Sequence, residues 1–104
     1  MTIWRRPNYT PREVRALVEE YAALRAKADT DAGGMRALLQ LADLDYVLER
    51  LPMKYWEVVL LHGLLGLPQE QTATLLHISQ PAVSKRYRQG LEEITYWING
   101  AIDG

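Results

Sequence analysis

The sequence contains no cysteine, which excludes a disulfide scaffold, a thiolate nucleophile and any cysteine-ligated zinc or iron–sulfur centre. It also lacks a long hydrophobic run. The most apolar stretch, residues 58–67, is interrupted by His62, Gly63 and Gly66 and falls well short of the roughly 20 residues that a spanning helix requires, so no membrane segment is expected. The first residues, Met-Thr-Ile-Trp-Arg-Arg-Pro, have no apolar core after their positive charges, unlike a secretory signal, and a cytoplasmic protein is expected. Overall positive charge is missing too. The formal net charge is -1 and the pI about 6.1, whereas nucleic-acid-binding domains commonly exceed a pI of about 9.

The 104 residues, 48% apolar and 24% charged, have the size and composition of one globular domain able to bury roughly 65% of its unfolded surface. Charge is unevenly spread. Residues 1–28 hold six basic and three acidic side chains, residues 29–70 three basic and seven acidic, and residues 71–104 three of each, with Lys85, Arg86 and Arg88 clustered.

Periodicity predicts an all-α chain of five helices. Thr10-Pro11-Arg12-Glu13 has capping-box spacing with proline at the first helical position, a strong helix start. Val14, Leu17, Val18, Tyr21, Leu24 and Ala28 then form one stripe, predicting a helix over residues 10–28 with Arg15, Glu19, Glu20 and Arg25 on other faces. Residues 29–34, Asp-Thr-Asp-Ala-Gly-Gly, read as a turn. A second helix is predicted over residues 35–50, with Leu38, Leu41, Leu44, Leu48 and Leu51 on one face and Met35, Leu39, Ala42 and Tyr46 beside it. Two apolar faces predict a central position for it. Pro52 ends it, because the residue before a proline resists helical geometry. A third helix is predicted over residues 52–62 and a fourth over 68–76, with Pro68 as its first helical residue.

The last segment carries the most information. Ser79 is a natural N-cap, and Val83, Tyr87, Leu91, Ile94, Ile98 and Ile102 follow at steps of four, four, three, four and four, predicting one long helix. Its other side opens with Gln80, Ser84, Lys85 and Arg88. A short helix, a turn at His77-Ile78-Ser79 and a second helix presenting hydrogen-bonding and cationic groups is a helix-turn-helix pattern suited to a DNA major groove. Ala73 stands where the two helices cross closest, with Leu76, Ile78 and Val83 filling the angle.

These residues carry a family resemblance. Leu51-Pro52 through Glu57-Val58-Val59, Gly66-Leu67, and the run from Gln71 to Arg86 resemble region 4 of bacterial sigma factors, over residues 51–93. The resemblance implies a sigma-like helix-turn-helix, placed at residues 51–104 with an extended C-terminal recognition helix; charge and periodicity put a basic arm and two helices ahead of it at residues 1–50. In sigma factors this domain binds an upstream promoter element and a flap of RNA polymerase. Small phage-encoded regulators look like the same domain standing alone. Four departures stand out: His77 where the family has glycine, Thr72 for a bulky aliphatic residue, Gly90 for alanine, and Tyr55, Trp56 and Leu60 where the family is mostly charged. Gly90 is expected to mark a bend or a close contact, and the aromatic surface to be covered by the N-terminal helices or by a partner. With no sigma region 2 in these residues, the chain is not expected to melt a promoter.

Other features have plainer readings. The arm at residues 4–7 reads as a frayed terminus rather than a minor-groove reader. The turn at residues 29–34 mimics a calcium loop, but Gly33 and Gln40 occupy its fifth and twelfth positions, so calcium is not expected. His62 and His77 have no second ligand at helical spacing, and Ser79 and Ser84 no base or oxyanion loop. Neither metal, cofactor nor catalysis is expected. Trp56, Trp97 and Tyr96 read as packing residues.

Two functions remain open. In the first the chain is a sequence-specific DNA-binding transcription regulator that reads bases of double-stranded DNA with Gln80, Ser84, Lys85 and Arg88. Phosphate is then held by Ser79 and Arg86 or by the helix N-terminus, with Arg86 alternatively salt-bridged inside the domain. A phage DNA-packaging adaptor is a variant of it. In the second the chain occupies a surface of RNA polymerase and scarcely touches DNA. A homodimer or higher homo-oligomer is expected, because three clustered cations in an acidic chain bind weakly alone. The stripe of the first helix and Ile94, Trp97, Ile98 and Ile102 are the expected contact surface between copies, the alternative being that these two ends pack on each other within one chain.

Overall fold

The structure is a computed structural model that describes residues 8–28 and 34–100. The expectations for the arm at residues 4–7, for residues 29–33 of the turn and for Ile102 lie outside these. The regular elements of the described residues are all helices, without strands: α1 (Pro11–Glu19), α2 (Tyr21–Ala28), α3 (Gly34–Leu48), α4 (Met53–Val58), a π-helical segment (Val59–Leu64), α5 (Gln69–Leu76) and α6 (Gln80–Asn99). None of these helices is long and apolar enough to cross a membrane.

Among the described residues six α-helices thus stand where five were expected, and the differences have physical causes. The first predicted helix breaks at Glu20, whose ψ of 20° leaves helical space. No glycine or proline marks the break. It separates α1, which packs on α6, from α2, which packs on α3, so tertiary contact overrides a continuous local pattern. The third predicted helix widens after Val58 into π geometry, with Leu65 N–H bonded to Leu60 O at 2.9 Å. Pro52 and Pro68 both sit one position before the helix they introduce, with ψ near 145° and 152°.

α3 ends at Leu48 rather than at residue 50, its last turn tightened by bonds from Arg50 N–H to Val47 O and Leu51 N–H to Leu48 O. The central position expected for it is not found. Leu41, Leu44 and Leu48 are buried with Ala37 and Val47, but Met35, Leu38 and Tyr46 are 69%, 53% and 42% exposed. α3 packs against α2 and α6 and leaves Leu38 of its first apolar face and Met35 and Tyr46 of its second exposed. The Arg50 guanidinium lies 3.6 Å from the centre of the Tyr46 ring and partly shields it. Between α2 and α3, Tyr21 donates to Asp45 at 3.1 Å, and Arg25 bonds to both Tyr21 and Asp45.

α6 is the shared partner, touching α1, α3, α4, the π segment and α5. Val83, Tyr87, Leu91, Ile94 and Ile98 are buried along it, in one cluster with Val14, Leu17 and Val18 of α1. The surface expected to join two copies is therefore largely consumed within one chain. Asn99 closes the contact by accepting from Tyr9 N–H at 2.6 Å and donating to Tyr9 O at 2.7 Å. Two glycines permit the close approach. A methyl group on Gly90 would stand 3.0 Å from Val59 and 3.3 Å from Tyr55, so this glycine marks a tight helix contact as expected. Tyr55, Trp56 and Leu60 are half-buried. Trp56 and Leu60 line an open cavity of about 820 Å³ with Tyr21 and Leu48, so the N-terminal helices cover this surface in part.

Tyr87 stands at the centre of these contacts. Its hydroxyl donates to Glu19 at 2.8 Å, its ring meets His62 edge-on at 4.7 Å, and the Arg15 guanidinium lies 5.7 Å from its ring centre. Burial first, then the Glu19 carboxylate, push the phenol well above its ordinary range, opposed by Arg15. A methyl group on Gly63 would stand 2.5 Å from Val18 and 3.1 Å from Tyr87. Both neighbours are buried and cannot yield. Gly63→Ala is therefore expected to destabilise the fold by about 1 to 3 kcal/mol through overpacking, read as a lower melting temperature, and an unchanged one contradicts the packing described.

Candidate nucleic-acid interface

The turn between α5 and α6 is built by local chemistry. His77 takes the left-handed conformation, φ 57° and ψ 42°, which histidine adopts more readily than most residues. Its N–H bonds to Thr74 O at 3.3 Å and the Ile78 N–H to Ala73 O at 3.1 Å, the paired bonds of a Schellman stop. Thr72, fully buried, donates its hydroxyl to Pro68 O at 3.0 Å. Its polar atom is thereby satisfied at a position where a bulky aliphatic residue was the expectation. Ala73 is buried at the crossing, and Leu76 and Ile78 pack against the same core.

Ser79 then caps α6, its Oγ accepting from Ala82 N–H at 3.2 Å, and Pro81 occupies the first turn where its missing donor costs nothing. Ser79, Gln80, Ser84, Lys85 and Arg88 are exposed, while Arg86 is half-buried on the flank. The orientation follows from the stripe: with Val83, Tyr87 and Leu91 buried, Ser84, Lys85 and Arg88 fall on the outer side. Among the described residues, the side chains of Lys85, Arg86 and Arg88 make no hydrogen bond or ion pair, so the internal salt bridge considered for Arg86 is not seen.

The structure adds residues that sequence reading missed. Arg12 and Arg15 of α1 line a shallow depression of about 250 Å³ together with Arg88, Leu91 and Glu92 of α6. Their spacing of three on one helix was the available signal, but only docking of α1 on α6 brings them to Arg88. Tyr96, expected to pack, is 67% exposed and meets Trp97 edge-on. His62 donates from Nδ1 to Leu67 O at 2.7 Å, and no cluster of three or more His, Cys, Asp or Glu among the described residues is arranged to hold a metal.

His77 is exposed and its side chain makes no hydrogen bond among the described residues, so its left-handed conformation is strain with little return. His77→Gly is expected to stabilise the protein by about 0.5 to 1 kcal/mol with the exposed residues of α6 untouched. Chemical denaturation reads this, and an unchanged or lower midpoint contradicts it.

Comparison with known families agrees with the geometry. The family model for sigma-70, region 4 matches residues 41–94, just over half of the chain. The match begins in α3, ahead of the Leu-Pro start at which the resemblance was first legible, and ends within α6. No curated protein and no solved structure gives a significant match. With a left-handed turn between α5 and α6 and a family match across both, the chain belongs to the sigma-70 region 4 family.

Proposed function

We propose that this protein is a sequence-specific DNA-binding transcription regulator that inserts the N-terminal half of α6 into the major groove. In this reading Gln80, Ser84, Lys85 and Arg88 face base edges, and Ser79 and Arg86 hold phosphate from the groove wall. The observation that carries it is the exposed row on α6 whose cations have no partner among the described residues, in a chain of a family built around DNA contact. The protein then acts by binding, with no chemistry of its own. A net charge of -1 is compatible, because helix insertion depends on local potential screened beyond about 8 Å at physiological salt.

A second reading, occupation of an RNA polymerase surface with little DNA affinity, is favoured by the pI of about 6.1. A polymerase pull-down set beside a DNA mobility shift separates the two.

Lys85→Ala and Arg88→Ala are expected to weaken DNA binding while helicity and melting stay unchanged. A lost base contact costs about 1 to 3 kcal/mol of discrimination, whereas a lost phosphate contact weakens all sequences alike. Gln80→Ala is expected to relax sequence preference, since an amide pairs with an adenine edge. Mobility shifts with selected and scrambled duplexes read both effects. Undiminished affinity in both cationic variants overturns the proposed face.

A further inference from the structure

On α6, Arg88 ends the exposed row that starts at Gln80 and also lines the depression shared with Arg12 and Arg15 of α1. The distance along the helix matters here. Eight residues at 1.5 Å each carry the chain about 12 Å from Gln80 to Arg88, more than the roughly 8.5 Å depth of the major groove. A helix entering N-terminus first therefore brings Arg88 to the groove rim, where the phosphates are.

Three exposed guanidinium groups gather at that level, and among the described residues none has an ion pair. Nearby carboxylates form no ion pair with them among the described residues. Glu13 accepts from Thr10 N–H at 2.9 Å, Glu19 accepts from the Tyr87 hydroxyl at 2.8 Å, and Glu92 lines the same depression without pairing to any of the three. Arg15 is braced instead over the Tyr87 ring. Three guanidinium groups against the one carboxylate of Glu92 on two packed helices leave a local positive surplus, which suits an anionic polymer.

We propose that Arg12 and Arg15 of α1, together with Arg88, clamp the DNA phosphate backbone at the rim of the groove that α6 enters. This makes α1, which lies outside the matched family region at residues 41–94, part of the nucleic-acid interface, and it rests on the DNA-binding reading above. The clamp supplies affinity that the short cationic row on α6 lacks, and it does so without regard to base sequence.

The test is binding of the full chain to a mixed-sequence duplex of about 20 base pairs, followed by fluorescence anisotropy from about 50 to 200 mM salt. Arg12→Ala/Arg15→Ala is expected to weaken binding and to flatten the log–log salt slope by nearly two, so that its deficit against the parent shrinks roughly tenfold across that range. Arg12→Lys/Arg15→Lys is expected to retain the parent slope, which a merely structural role for the arginines does not predict. Circular dichroism melting confirms that both variants fold. An unchanged slope in the alanine double variant, with Lys85→Ala still impaired, overturns the clamp and leaves the α6 reading standing. Failure of the parent protein to bind any duplex overturns both.

Discussion

Burial of one stripe of α6 organises this molecule. Val83, Tyr87, Leu91, Ile94 and Ile98 are removed from water, each worth about 1.5 to 3 kcal/mol before entropy is counted, and α1, α3, α4, α5 and the π segment all pack against that helix. The stripe also decides what is left outside. Once Val83 and Tyr87 point inward, helical geometry turns Ser84, Lys85 and Arg88 outward, so the same packing that holds the fold together presents its cationic row. Gly63 and Gly90 matter because they let neighbouring elements reach the stripe at distances no larger residue allows.

Much of this was legible where the chemistry is local. The capping box at Thr10, the Ser79 cap and the stop at His77 each depend on residues within one turn, and each forms as read. The break at Glu20 and the π segment were not legible, because helix-forming residues occupy both sites and only packing against different partners separates them. α3 misled for a related reason: apolar periodicity shows which residues can be buried, whereas burial also needs a neighbour, and the described elements put none over Met35 and Leu38. The cationic row on α6 could be read from one helix. Arg12 and Arg15 could not be added to it, since their place beside Arg88 exists only after α1 docks.

The charge pattern illustrates the same division. A net charge of -1 describes long-range steering, which is weak here. Contact electrostatics depend on local geometry, and in α1 Glu13 and Glu19 accept hydrogen bonds from Thr10 N–H and the Tyr87 hydroxyl rather than pairing with the arginines. The proposed interface thus rests on a local surplus, three arginines against Glu92, within a chain that is slightly acidic overall.

In the proposed function one continuous surface, the N-terminal half of α6 with the start of α1, faces DNA. Amide and arginine side-chain resonances followed by NMR during titration with a DNA duplex test it most directly. The account predicts perturbations concentrated at residues 79–88 and at Arg12 and Arg15, with the exposed side of α3 at Met35, Leu38 and Tyr46 unmoved. Perturbations centred on that side of α3, or none at all with duplex in excess, contradict it.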